Sequence, residues 1–170
     1  MHELGRCRSE LEQLQQRLEL ILENAPVFIY VVDESARFLG VNRAWKQLGP
    51  DLDHESLVGR SLYEVFPAEI ASAFERNNLE VMRGGEVRQF EEMNGDRVYL
   101  SVKVPVKDAN GRPHAICGMS VDITERKNAE LKLAESEGRF RDMADGLPLI
   151  IWVHNENGAQ EFVNQTFCEY

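Results

Sequence analysis

Gly118 to Lys127 reads Gly-Met-Ser-Val-Asp-Ile-Thr-Glu-Arg-Lys, the end of a β-rich run followed, with no loop between, by a helix start. Asp122 and Glu125 stand at the spacing of a capping box, with Asp where Ser or Thr is usual, so a helix begins here and continues to about Met143. Behind this junction lie three strands, Val87 to Met93, Arg97 to Lys107 and Pro113 to Asp122, separated at Asn94-Gly95 and Asn110-Gly111. Asn-Gly is a strong short-range hairpin signal, because its backbone suits the tight turns that join antiparallel strands. Further back, Pro67 to Arg83 reads as the longest internal helix, opened by a proline whose missing N–H costs nothing there and stopped by Gly84-Gly85. Residues 51–67 hold short helical turns. Val27 to Asp33 and Phe38 to Asn42 form a leading hairpin, with Asn42 placed to cap a short helix from Arg43 to Leu48. The order is two strands, several helices, then three strands.

The unit begins twice. Pro26 to Trp45 reads PVFIYVVDESARFLGVNRAW, and 122 residues on, Pro148 to Phe167 reads PLIIWVHNENGAQEFVNQTF. Pro26/Pro148, Ile29/Ile151, Val31/Val153, Glu34/Glu156, Val41/Val163 and Asn42/Asn164 are identical. Such a period is too long for a solenoid and fits small domains in tandem. The leading helix repeats too. Leu4, Cys7, Leu11, Leu14, Leu18 and Ile21 follow the spacing of a coiled-coil seam, and Ala129, Leu133, Ser136, Phe140 and Met143 take the places of Cys7 to Ile21 under the same offset. The first helix either packs on its own domain or forms a dimer seam through Leu4, Leu11, Leu14, Leu18 and Ile21, and the seam is the favoured reading. Residues 1–22 are thus a dimerisation helix, 23–127 a domain, 128–145 a connector helix and 146–170 the start of a second domain, which lacks the rest of its core and should lean on a neighbour.

Charge and composition exclude several functions. The formal net charge is −10, from 29 acidic against 19 basic residues, whereas nucleic acids and anionic membranes ask for a basic surface. No stretch approaches the roughly 18 apolar residues of a membrane span. Cys7, Cys117 and Cys168 are widely spaced and suggest neither a disulfide framework nor a zinc site. The expectation is a cytoplasmic homodimer without direct membrane contact and without a bound metal.

Strand–turn–strand, helices and three strands closed by Asp122-Ile-Thr-Glu-Arg-Lys127 resemble a PAS domain over roughly Leu22 to Lys127, and the tail from Pro148 resembles the beginning of another. The resemblance implies an α+β fold: a five-stranded antiparallel sheet with helices on one face enclosing a small cavity, flanked by coiled-coil-type helices. It also implies a bacterial parent, such as a sensor histidine kinase or a cyclic-dinucleotide enzyme, whose output domain the module controls. Asp122, Thr124 and Arg126, with Glu125 in the capping position, are then the relay: in the family, residues at these places bond back onto the domain.

Comparison of the two copies suggests which strand faces point inward. Val27, Ile29 and Val31 match aliphatic residues throughout, so they are expected to face the core, with Phe28, Tyr30 and Val32 outside. By the same parity Leu100, Val102 and Val104 point in, and Tyr99, Ser101 and Lys103 point out. The family arrangement turns Ile116, Gly118 and Ser120 toward the cavity. On the long helix Ile70, Phe74, Asn77 and Val81 share a face, where Asn77 either meets a ligand or bonds backbone or water, unless the register puts Asn78 there. Trp45, Phe66 and Phe90 complete the candidate lining. Haem-binding relatives carry an axial histidine on the long helix and flavin photosensors a cysteine on an early helix. This chain has neither, so haem and photoactive flavin are not expected, and the cofactor is a small organic molecule or none. Glu91 and Glu92 are adjacent on a strand and point to opposite faces, unsuited to shared acid–base work, and no phosphate loop or phospho-acceptor box is present. No catalytic residues are expected in this stretch. A ligand-free dimerisation or protein-interaction module is the rival to a sensor.

Overall fold

A computed structural model describes residues 2–49 and 51–168, without the side chains of residues 1–7 and 9. The chain forms two compact units, Met1–Ile123 and Thr124–Tyr170.

The first unit opens with helix α1 (His2–Asn24), which ends before Pro26, a residue that cannot donate to the helical ladder. Strands β1 (Phe28–Asp33) and β2 (Phe38–Val41) form the first hairpin. The Asp33 Oδ1 ties its turn, accepting from Ser35 N and Arg37 N at 2.9 Å each, and Ala36 sits at φ 57°. A 3-10 turn (Arg43–Gln47) and helices α2 (His54–Leu57), α3 (Leu62–Val65) and α4 (Ala68–Gly84) follow. Gly85 ends α4 in the left-handed conformation at φ 64°. Strands β3 (Arg88–Asn94), β4 (Arg97–Lys107) and β5 (Pro113–Asp122) complete one five-stranded antiparallel sheet in the order β2-β1-β5-β4-β3. β1 and β5 are far apart in sequence yet central in the sheet, pairing Tyr30 with Gly118.

Two expectations are corrected. Asn42 precedes the 3-10 turn but its side chain does not cap it; the amide turns back to β1 and α1 instead. The strand faces are also inverted. Phe28, Tyr30 and Val32 are buried on the inner face of β1, as are Tyr99, Ser101 and Lys103 on β4, while Ile29, Val31, Leu100, Val102 and Val104 are half-buried on the outer face. The reason is volume: the large rings fill the space between sheet and helices, where each buries far more apolar surface than a valine would. The rings of Phe28, Tyr30, Phe38 and Trp45 meet edge to face at centroid distances of 5.3–6.5 Å.

The second unit begins with α5 (Thr124–Asp145), followed by β6 (Trp152–His154), β7 (Gln160–Val163) and α6 (Gln165–Cys168). β6 and β7 repeat the first hairpin bond for bond: Asn155 Oδ1 accepts from Asn157 N and Ala159 N at 3.0 Å each, and Gly158 (φ 77°) stands where Ala36 does. Phe162 packs against Phe140 of α5 at a centroid distance of 5.3 Å.

Candidate functional site

The inner face of the sheet, the 3-10 turn and α3–α4 line a partly open cavity of about 40 Å³. That is room for about three water-sized occupants and well short of a site for a drug-sized molecule. Aromatic side chains make up much of its wall: Phe28, Tyr30, Phe38, Trp45, Phe66, Phe74 and Tyr99.

Its polar end is built around an ion pair. Lys103 of β4 and Glu92 of β3 meet at 2.8 Å with their side chains only 1% and 5% exposed. Lys103 Nζ also donates to Asn78 Oδ1 at 2.8 Å, and Asn77 Nδ2 donates to Glu92 Oε1 at 2.9 Å. The ammonium lies 5.5 Å from the Phe74 ring centroid and 5.9 Å from those of Tyr30 and Phe90, so its remaining donor faces aromatic rings. Burial lowers the Lys103 pKa, partly offset by the Glu92 charge. Two charges taken out of water cost several kcal/mol each, and the close pairing together with the Asn77 and Asn78 hydrogen bonds offsets it.

Beside the pair, the hydroxyls of Ser101 and Ser120 share a hydrogen bond of 2.7 Å across β4 and β5. The Tyr30 phenol bonds Ser120, and burial first, then the Glu92 charge, raises its pKa far above the ordinary range. Gly118 makes this placement possible, since a Cβ there would overlap the Tyr30 ring. Tyr99 also lies on the cavity wall, with its hydroxyl beside Arg97. Burial, then the Asp122 charge, raises its pKa, against which the adjacent Arg97 acts.

Among the expected lining residues, Trp45, Phe66, Phe74 and Ser120 line the cavity. Ile116 and Gly118 are buried on the same inner face and Val81 is fully buried in the core. Ile29, Val31, Leu100 and Val102 stand on the opposite side of the sheet, turned away by strand parity. Asn78 reaches the cavity, whereas Asn77 and Ile70 lie half-buried on an outer groove beside Glu92. The polar core of Lys103, Glu92, Tyr30, Tyr99 and Ser101 escaped the sequence reading; the one local sign of it was a single lysine in the run Ser101-Val-Lys-Val-Pro105.

At the exit, β5 ends at Asp122, whose Oδ2 accepts from Arg97 Nη1 at 3.1 Å. Ile123 is buried and its N–H bonds Val98 O at 2.9 Å, so the sheet holds the chain to the residue before α5. Thr124 starts α5 and Glu125 lies exposed in its first turn. Arg126 pairs with Glu130 at 3.5 Å, because i and i+4 residues are neighbours on a helix. On α1, Leu11, Leu14, Leu18 and Ile21 are each more than half exposed; Leu4 and Cys7 lie outside the described side chains. Among the described residues no His, Cys, Asp and Glu cluster could hold a metal, and no helix is long and apolar enough to cross a membrane.

A family model described as PAS fold matches residues 22–128. The two-component sensor PprA of Pseudomonas aeruginosa is 30% identical over 97% of this chain and 19% of its own length. The methanogenesis regulatory histidine kinase FilI of Methanothrix harundinacea is 26% identical over 75% of this chain and 15% of its own length. The chain thus spans less than a fifth of these relatives. A crystal structure of the PAS domain of an HTR-like protein from Haloarcula marismortui superposes with a TM-score of 0.55 at 25% identity, covering 70% of this chain and 99% of that one.

Proposed function

The chain belongs to the PAS family, and from that premise we propose that this sensory signalling module detects a small polar ligand, or a change of packing and hydration, at the Lys103–Glu92 pair and relays it through α5. The observation that carries this reading is a buried, net-neutral ion pair with one spare lysine donor in a cavity of about 40 Å³, on a sheet whose last strand runs directly into a helix. The third Lys103 N–H, a spare donor, favours a neutral molecule of a few heavy atoms that brings hydrogen-bond acceptors. An acid would sit against Glu92 and an amine against Lys103.

Asp122, Thr124, Glu125 and Arg126 carry the relay. A small shift of β5 becomes a rotation or a change of register in the helix that continues it, and helices packed in pairs have discrete arrangements between which such a shift selects. The functional divisions follow: 1–22 dimerisation helix, 23–127 sensor, 128–145 connector, 146–170 start of the next module. The likeness to PprA and FilI supports a histidine kinase, or a comparable signalling enzyme, as the output that this module controls. Homodimerisation would cover the exposed apolar residues of α1. That exposed seam also favours a second reading, a ligand-free interaction module.

Native mass spectrometry of the purified chain separates the two. Sensing predicts a recurring small adduct that is lost in Lys103→Met. A clean dimer that ignores a library of small neutral metabolites, with the same mass in both proteins, contradicts ligand binding at the pair.

A further inference from the structure

Each unit grips the end of the helix that enters it, through one asparagine. In the first unit Asn42 is buried, its Oδ1 accepting from Ile29 N at 3.0 Å while Nδ2 donates to Val27 O and to Leu22 O, both at 2.9 Å. Leu22 lies in the last turn of α1, and Val27 and Ile29 flank the start of β1. In the second unit the fully buried Asn164 makes the corresponding three bonds: Ile151 N at 2.9 Å, Leu149 O at 2.7 Å and Ala144 O in the last turn of α5 at 2.9 Å. The main chain repeats as well, since Ala25 N bonds Leu22 O and Leu147 N bonds Ala144 O, each at 3.4 Å.

The chemistry needs an amide. It offers an acceptor and two donors on one rigid plane, whereas an aspartate would hold negative charge against two carbonyl oxygens and a serine has one donor only. All three partners are backbone atoms, so the clasp works on helices of different sequence. The carbonyls in the last turn of a helix lack partners within the helix, which leaves them for such a grip. A helix of 22 residues such as α5 is a rod about 33 Å long at 1.5 Å per residue, and a displacement at its start arrives at its end.

We infer that Asn164 is the positioning residue that receives movement of α5 for the second unit, as Asn42 does for α1. This rests on the sensory reading, which supplies the movement. Amide exchange followed by NMR on the full chain tests it. Ser120→Ala, which deletes the hydroxyl partner of Ser101 and Tyr30, perturbs the first unit. Exchange should change by about twofold or more both at residues 128–130 and at residues 151–153, the range expected for energetic coupling between sites. With Asn164→Asp added, which keeps the acceptor for Ile151 N, the change at 128–130 should persist and that at 151–153 should vanish. Asn164→Ser serves if Asn164→Asp does not fold. A change reaching 151–153 undiminished in these backgrounds overturns the receiving role, as does one that stops at 128–130 with Asn164 intact. No change at 128–130 sinks the sensory reading and this role together.

Discussion

Lys103 shows most clearly how a single side chain sets the character of the core. Removing one partner of a buried pair leaves an uncompensated charge, so Lys103→Met should destabilise the fold by about 3–5 kcal/mol, with Lys103→Met/Glu92→Leu recovering most of it. Urea denaturation of the three proteins checks this, and equal losses in the single and double variants would contradict it. The pair also has a pH signature. Because burial lowers the Lys103 pKa below 10.5 in the folded chain, the unfolded chain keeps that proton to higher pH, and stability gains from this group as pH rises toward 10.5. Tyr30 acts in the opposite sense. Its folded phenol holds its proton beyond 10.0, the unfolded chain releases it first, and stability falls above that pH. Alkaline denaturant titrations should lose the rise in the Lys103→Met/Glu92→Leu protein and the fall in Tyr30→Phe. Gly118→Ala should cost about 1–3 kcal/mol by forcing the Tyr30 ring off the strand.

Among the elements, helices and strands were legible because their signals are local: Asn-Gly at the β-turns, Gly84-Gly85 after α4, proline at helix boundaries. The facing of the strands was not. In β1 both alternating sets are apolar, so period alone cannot choose between Ile29-Val31 and Phe28-Tyr30-Val32. What chooses is Gly118, distant in sequence, which alone leaves room for a ring at Tyr30. The polar core was hidden for a related reason: Lys103 reads as a surface residue until Glu92 from β3 and Asn78 from α4 are brought to it. At this scale α1 offers a direct test. Deleting residues 1–22 should shift the chain toward monomer in sedimentation experiments, and a truncated chain that stays fully dimeric would refute the seam.

For the whole molecule, the repeat at 122 residues proved to be structural as well as sequential, down to the turn geometry at Asp33 and Asn155 and the clasps at Asn42 and Asn164. The chain is organised as a sensor core, an exit strand and a helix that enters the next unit. Above all, packing around Lys103 should be felt at the start of α5. Amide exchange at residues 126–130 in Phe74→Leu, which loosens the cavity wall, tests it most directly. A change of about twofold or more relative to the unaltered chain is expected, abolished when Asp122→Ala is added. Identical exchange at 126–130 in Phe74→Leu and the unaltered chain would contradict it.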